Sequence, residues 1–146
     1  MEQNSFNYTV EQFADLQLLR YRVNGFEELS LPRKQLIYYL SQAALEGRDI
    51  LFDQNGKYNL QIRRLLEAIY LHYEGERSTS EFQALEVYLK RVWFANGIHH
   101  HYACDKFIPE FSAAYLRSLI DSLDSSVLPL EEGESIDELC HKLFPV

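Results

Sequence analysis

The chain has 146 residues, of which 22 are acidic and 14 are basic, giving a formal charge of −8, and 14% of its residues are aromatic. This length predicts about one domain with a core of its own, and the aromatic content excludes a disordered chain. Nucleic-acid binding is disfavoured because phosphate contacts need clustered Lys and Arg. No apolar run approaches the roughly 18 residues of a membrane span.

The dominant periodicity is helical, and its first apolar stripe lies in residues 11–22. Ser30 is a typical helix N-cap, and Pro32 fits the first turn because its missing N–H costs nothing there. The helix that follows is predicted to pack one apolar face against the rest of the domain. That face comprises Leu36, Ile37, Leu40, Ala44 and Leu45.

The same periodicity continues to the end of the chain, with residue types typical of helix boundaries. No segment alternates steadily between polar and apolar residues, so strands are at most marginal. The predicted fold is therefore all-α, a single compact bundle of about five to six helices. The boundary signals are Asn59 as an N-cap, the capping-box pairs Ser78/Glu81 and Ser135/Glu138, the stop Asn96-Gly97 and the start Pro109.

Residues 1–146 are predicted to form one helical domain, with 124–134 as an internal linker-like loop. The last residues, Leu143-Phe-Pro-Val146, are apolar, whereas natural termini usually end in polar sequence. The chain is therefore expected to be a fragment of a longer protein. Its first residues lack the basic start and apolar stretch of a signal peptide, although a signal could have been removed.

Three consecutive histidines, His99 to His101, follow a predicted helix end, and Cys104 comes three residues later. Imidazole and thiolate are zinc ligands, so His99, His101 and Cys104 are candidate metal ligands, and Cys140-His141 could complete the set. The spacing matches no standard zinc module. The alternative is structural, with imidazoles donating hydrogen bonds to carbonyls at the helix end. The two cysteines, Cys104 and Cys140, are predicted to be buried free thiols, with a single disulfide as the alternative.

No catalytic motif is apparent in the chain. It has neither G-x-S-x-G nor a phosphate-binding loop, and its cysteines lie outside known active-site patterns. Aromatic side chains at helical spacing predict a core or a domain interface, with a ligand groove as the alternative. These aromatics are Tyr38, Tyr39, Tyr70, Tyr73, Tyr88, Trp93 and Phe94.

Five segments together resemble the N-terminal part of bacterial dipeptidyl peptidase III, over roughly residues 11–125. The resemblance implies a two-lobed zinc exopeptidase that releases dipeptides from the N-termini of short peptides, with this chain in the lobe that does not bind zinc. It also implies a cytoplasmic location. The segments are Phe13–Tyr21, Tyr38–Ile50, Asp53–Asn55, Tyr88–Gly97 and Lys106–Pro109.

The zinc motifs of that family, His-Glu-x-x-Gly-His and Glu-Glu-x-x-x-Asp, do not occur in this chain. The resemblance therefore implies no catalytic residue and no cofactor here, with zinc bound elsewhere in the full-length enzyme. The expected partners are the remainder of the enzyme and its peptide substrate. Residues expected to contact them across the cleft are Asn96, His99, His100, His101, Tyr102 and Lys106.

The isolated chain is expected to expose an apolar patch and to self-associate through it. Two other functions fit the same residues. One is a stand-alone helical module that binds other proteins through its aromatic face. The other is a small metal-binding protein that uses the His/Cys residues.

Overall fold

The computed structural model describes residues 6–144, which are mostly helical. The chain divides into two compact units, Met1–Arg48 and Asp49–Val146. Within residues 6–144, no helix has the length and apolar character needed to cross a bilayer. The elements are β1 (Thr9–Phe13), β2 (Leu16–Leu19), α1 (Leu31–Glu46), α2 (Arg48–Asn55), α3 (Asn59–His72), α4 (Ser80–Ala95), α5 (Ala113–Asp121) and α6 (Ile136–Leu143), with 3-10 turns at Phe26–Glu28 and Ser125–Val127.

The first unit opens with an antiparallel hairpin, so the helical interpretation of residues 11–22 was wrong. Phe13 of β1 pairs with Leu16 of β2 across a tight turn that holds Ala14 at a φ of 48°. Burial alternates along both strands, as expected for period two. The error arose because a few apolar residues in a short segment fit helical and strand periods almost equally well.

Helix α1 begins where Ser30 and Pro32 predicted, with Ser30 as an extended N-cap residue. Its predicted packed face, however, is not packed. Leu36 is 59% exposed and Leu40 is 61% exposed, and no residue of α1 is buried. Periodicity identifies which side chains share a face of a helix, but it does not determine whether anything covers that face.

The second unit has a closed hydrophobic core centred on α3 and α4. Leu65 and Ile69 of α3 and Leu85 and Leu89 of α4 have no exposed surface. These residues recur at helical spacing of three and four, which brings one apolar stripe of each helix to the interface. Helices α5 and α6 add further buried side chains to the same cluster, including Ile120 and Leu139.

The predicted N-cap of α4 was wrong by one residue. Thr79 is the N-cap of α4 and accepts a hydrogen bond from the Phe82 N–H at 3.2 Å, so Ser78 does not form the predicted capping box. Glu81, its expected partner, instead accepts hydrogen bonds from the backbone N–H and hydroxyl of Ser112. Ser112 is in turn the N-cap of α5, which therefore begins later than Pro109.

The predicted N-cap Asn59 is instead the first residue of α3, whose N-cap is Tyr58, whereas two other boundaries agree with the sequence. Ser135 and Glu138 form a reciprocal capping box at the start of α6, and Asn96 ends α4 in the left-handed conformation. Helix α2 was not predicted. Residues 124–134 contain the second 3-10 turn and the buried side chain of Leu128, which is 7% exposed.

A line of charged and polar contacts connects α2, α3 and α4 beside the core. Arg63, which is 8% exposed, lies 2.8 Å from Asp49 and 3.3 Å from Glu67. Arg64 binds the second oxygen of Asp49 at 2.8 Å. Glu67 accepts a hydrogen bond of 2.8 Å from the indole N–H of Trp93. The hydrogen bonds from the two arginines hold the pKa of Asp49 below its ordinary value.

We expect Leu85→Ala to lower the free energy of unfolding by about 3 kcal/mol, because it removes buried methyl groups and leaves a cavity. Leu71→Ala is the matched control, since Leu71 of α3 is 69% exposed, and it should change stability by less than about 0.5 kcal/mol. Urea unfolding followed by Trp93 fluorescence measures both. Equal losses in the two variants would contradict this placement of the core.

Candidate functional site

Residues 96–106, here called the histidine loop, form a folded-back connection after α4. The N–H of His100 donates to the carbonyl of Asp105 at 2.8 Å, and the N–H of Phe107 donates to the carbonyl of Ile98 at the same distance. An isolated antiparallel bridge joins His99 to Lys106. These backbone bonds hold the loop in one defined shape.

The three imidazoles are half-buried in this loop and contact aromatic rings. His100 and His101 stack with ring centroids 4.4 Å apart, and His101 meets the ring of Phe94 edge-on at 5.0 Å. The Nδ1 of His100 accepts a hydrogen bond from the backbone N–H of Tyr102 at 3.2 Å. A nitrogen that accepts is unprotonated, so the neutral ring of His100 carries its proton on Nε2.

Asn59 anchors the loop, a role that its predicted function as an N-cap had not indicated. Its side chain is buried, and Oδ1 accepts the N–H of Ile98 at 3.3 Å. The carboxamide lies against Gly56 and Gly97, where an added Cβ would collide with it. A second carboxamide, that of Asn55, donates to the carbonyl of Asn96 at 3.1 Å. Only the tertiary fold brings these residues together, so spacing along the chain carried no signal.

A cavity of about 360 Å³ lies beside the loop, and His99, His101 and Cys104 all contribute to its lining. Within residues 6–144, however, no three His, Cys, Asp or Glu side chains are grouped so that they could hold a metal ion. Cys140 and His141 line a different cavity of about 410 Å³ between α5 and α6. The structure therefore does not bring the predicted ligand set together.

Both cysteines have free thiols, but their environments differ from the prediction. Cys104 is exposed, so the expectation of a buried thiol was wrong there. Cys140 is half-buried, and burial raises the pKa of its thiol. A thiol with a raised pKa is mostly protonated at neutral pH, and only the thiolate is an effective nucleophile or metal ligand.

The residues proposed to contact a second lobe are distributed between the loop's interior and its surface. Tyr102 is 90% exposed, and the side chain of Lys106 is also exposed. Asn96 has a structural role as the left-handed C-cap of α4. The accessible part of the loop is therefore residues 102–106.

Helix α1 presents the largest exposed apolar surface among the described helices. Its large apolar side chains lie on opposite sides of the helix, since Leu36 and Leu40 lie on one side and Tyr38 and Leu45 on the other. Together they expose roughly 700 Å² if a large side chain contributes about 150–200 Å². The exposed residues are Leu31, Leu36, Ile37, Tyr38, Tyr39, Leu40 and Leu45, between 41% and 68% each.

The aromatic residues singled out in the sequence include some that pack in the core and some that are exposed. Tyr70, Tyr73 and Tyr88 pack against the core of the second unit, and burial raises the pKa of Tyr88 to about 12. Tyr38 and Tyr39 are exposed on α1, with their rings 5.4 Å apart. The predicted core role thus applies to the aromatics of α3 and to Tyr88, whereas the two tyrosines of α1 remain candidates for an interface.

We expect Gly97→Ala to destabilise the chain by about 1–3 kcal/mol, because it combines backbone strain with a collision against Asn59. Gly97 has a φ of 155°, and its added Cβ would meet the Asn59 carboxamide. Gly133→Ala is the control, since Gly133 has a φ of 78° but open space around it. Thermal unfolding should show the larger loss for Gly97, and an equal loss would contradict the anchoring role of Asn59.

The histidine loop and the surface of α1 are the two features of the described residues that the core does not explain. The loop offers imidazoles and an exposed tyrosine beside a cavity, and α1 offers apolar surface without an internal role. No protein-family model matches this chain, and a search of curated proteins found no match.

Proposed function

We propose that this chain is the non-catalytic, helical N-terminal domain of a dipeptidyl peptidase III-like zinc peptidase, and that α1 is the surface that binds the rest of the enzyme. The resemblance of the five sequence segments supports the peptidase identity, and the observation that carries the interface is the exposure of apolar side chains along α1. The total of roughly 700 Å² is divided between two sides of α1, so each side exposes about 350 Å², which is in the range of about 300–600 Å² for the largest apolar patch of a typical monomer, a patch that is often functional.

The distribution of these side chains favours a large partner over a single neighbouring helix. A helix that packs on one side has a single apolar stripe, whereas a helix that is apolar all round is normally enclosed. Tyr39 and Leu40 are 67% and 61% exposed although they point in different directions from the helix axis. Enclosing both requires protein on more than one side, as the remainder of a larger enzyme would provide.

The hairpin of the first unit supports the same interpretation. Within residues 6–48, Phe13 is the one hydrophobic side chain that is buried. A two-stranded hairpin is marginally stable in water unless a helix or a further strand covers it. Val10 is 60% exposed and Leu19 is 49% exposed. Part of the apolar surface of the strands is therefore also available to a partner.

In this proposal the catalytic zinc and its ligands lie in the other lobe, and this domain forms one wall of the peptide-binding cleft. The exposed residues Tyr102 and Lys106 of the histidine loop are the proposed contacts to that lobe or to the peptide. The enzyme would act on short peptides in the cytoplasm. The chain by itself is proposed to be inactive.

The second candidate function is a stand-alone module that binds a separate protein through α1. It is favoured by the closed core of the second unit, whose largest side chains, including Phe52 and Phe82, are only 1% exposed. Such a core is sufficient for an independently folded scaffold. The exposed helix would then be a docking surface for another protein.

Sequencing the source gene beyond the codon for Val146 tests the peptidase proposal directly. Several hundred further codons that include His-Glu-x-x-Gly-His would support it. A stop codon at that point would overturn it and leave the interaction module. Stoichiometric zinc in protein purified without a nickel column would instead favour the metal-binding alternative.

We expect the pair Leu36→Gln and Leu40→Gln to reduce self-association of the isolated chain, because it removes exposed apolar surface from α1. The free energy of unfolding should change by less than about 0.5 kcal/mol, since both sites are exposed and Gln is a good helix former. Light scattering and hydrophobic-dye fluorescence measure the effect. Leu71→Gln on α3 is the control, and an equal reduction in that variant would contradict a role specific to α1.

A further inference from the structure

The chain contains three Asn-Gly pairs, Asn24-Gly25, Asn55-Gly56 and Asn96-Gly97. Glycine has no Cβ to shield its N–H, and it allows the backbone rotations that bring this nitrogen to the preceding side chain. Attack of that nitrogen on the Asn carboxamide is the first step of deamidation. Because the dipeptide is the same at all three sites, differences in their deamidation rates should come mainly from the fold.

The fold protects Asn96-Gly97. The N–H of Gly97 donates to the carbonyl of Val92 at 3.1 Å, and Gly97 is buried. Asn96 is held in the left-handed conformation as the C-cap of α4, with a φ of 54°. The nucleophilic nitrogen is therefore occupied, and the rotation that would bring it to the carboxamide requires breaking the helix end.

The fold also protects Asn55-Gly56, by a different contact. Asn55 is the last residue of α2, and its Nδ2 donates to the carbonyl of Asn96 at 3.1 Å. The side chain is thereby fixed to the histidine loop. Gly56 is confined as well, since its position lies against the carboxamide of Asn59.

Asn24-Gly25 has none of this protection. The pair occupies the two central positions of a turn closed by the Phe26 N–H and the Val23 carbonyl at 3.2 Å. Gly25 has a φ of 83°, and nothing lies within 4 Å of its would-be Cβ. Asn24 is exposed, and within residues 6–144 neither its carboxamide nor the Gly25 N–H has a hydrogen-bond partner.

We propose that Asn24 is a modification site, at which the folded chain deamidates first. The Gly25 nitrogen forms a bond to Cγ of Asn24, and ammonia leaves as the five-membered succinimide closes. Water then adds to either ring carbonyl and opens the ring to aspartate or isoaspartate. The reaction consumes one water and releases one ammonia. The product carries one more negative charge than the original chain, whose formal charge is −8, and the new charge lies next to Glu27 and Glu28.

Incubating the full chain in mildly alkaline buffer and mapping tryptic peptides tests this assignment. Cleavage after Lys and Arg places the three pairs in separate peptides, residues 23–33, 49–57 and 92–106. The first peptide should gain about one mass unit and an isoaspartyl product, at a rate roughly fivefold or more above the other two. That factor is what one protein hydrogen bond supplies.

The same incubation in denaturant is the control, because unfolding removes the protection from all three sites. Asn55 and Asn96 should then react faster than in the folded chain, whereas Asn24 should change little. Asn24→Gln should abolish the early mass change without altering the other two peptides. Equal rates at the three sites in the folded chain, or a strong acceleration of Asn24 on unfolding, would overturn the proposal.

Discussion

The packing of α3 against α4 is the interaction on which the second unit depends. Leu65 and Ile69 meet Leu85 and Leu89 at an interface with no exposed surface, and α5 and α6 add their apolar stripes to it. Burial of this kind is the main favourable term in folding. The second unit therefore has a closely packed centre, and the histidine loop follows the end of one of these two helices.

The histidine loop depends on that centre rather than on contacts of its own imidazoles. It leaves α4 at Asn96 and is anchored at Ile98 by the buried side chain of Asn59, the first residue of α3. Both anchor points belong to the packed helices, so the core of the second unit fixes where the loop begins and where it is held. His100 and His101 pack as aromatic rings, but His100 accepts a hydrogen bond from the Tyr102 N–H, and within residues 6–144 no imidazole donates to a helix-end carbonyl as the structural alternative predicted.

The sequence predicted helices well where they are amphipathic and capped, as at Ser135 and Asn96. It failed at residues 11–22, where a few apolar residues satisfied two periods, and at Ser78, where the adjacent Thr79 is the cap. The sequence could not predict that the apolar side chains of α1 are exposed, or that Asn59 anchors the histidine loop. Both depend on which segments meet in space, and periodicity describes only one segment at a time.

The contacts of Asp49 with Arg63 and Arg64 also make the second unit sensitive to acid. The two arginines hold the carboxyl's pKa below its ordinary value, so the folded state binds this proton less readily than the unfolded chain does. The resulting stabilisation is present above the ordinary pKa of an aspartate and is lost as the pH falls through the lowered value. Protonation would leave the buried Arg63 with Glu67 as its remaining anionic neighbour among the described ion pairs. Acid would thus weaken the junction of α2 and α3, at the edge of the core.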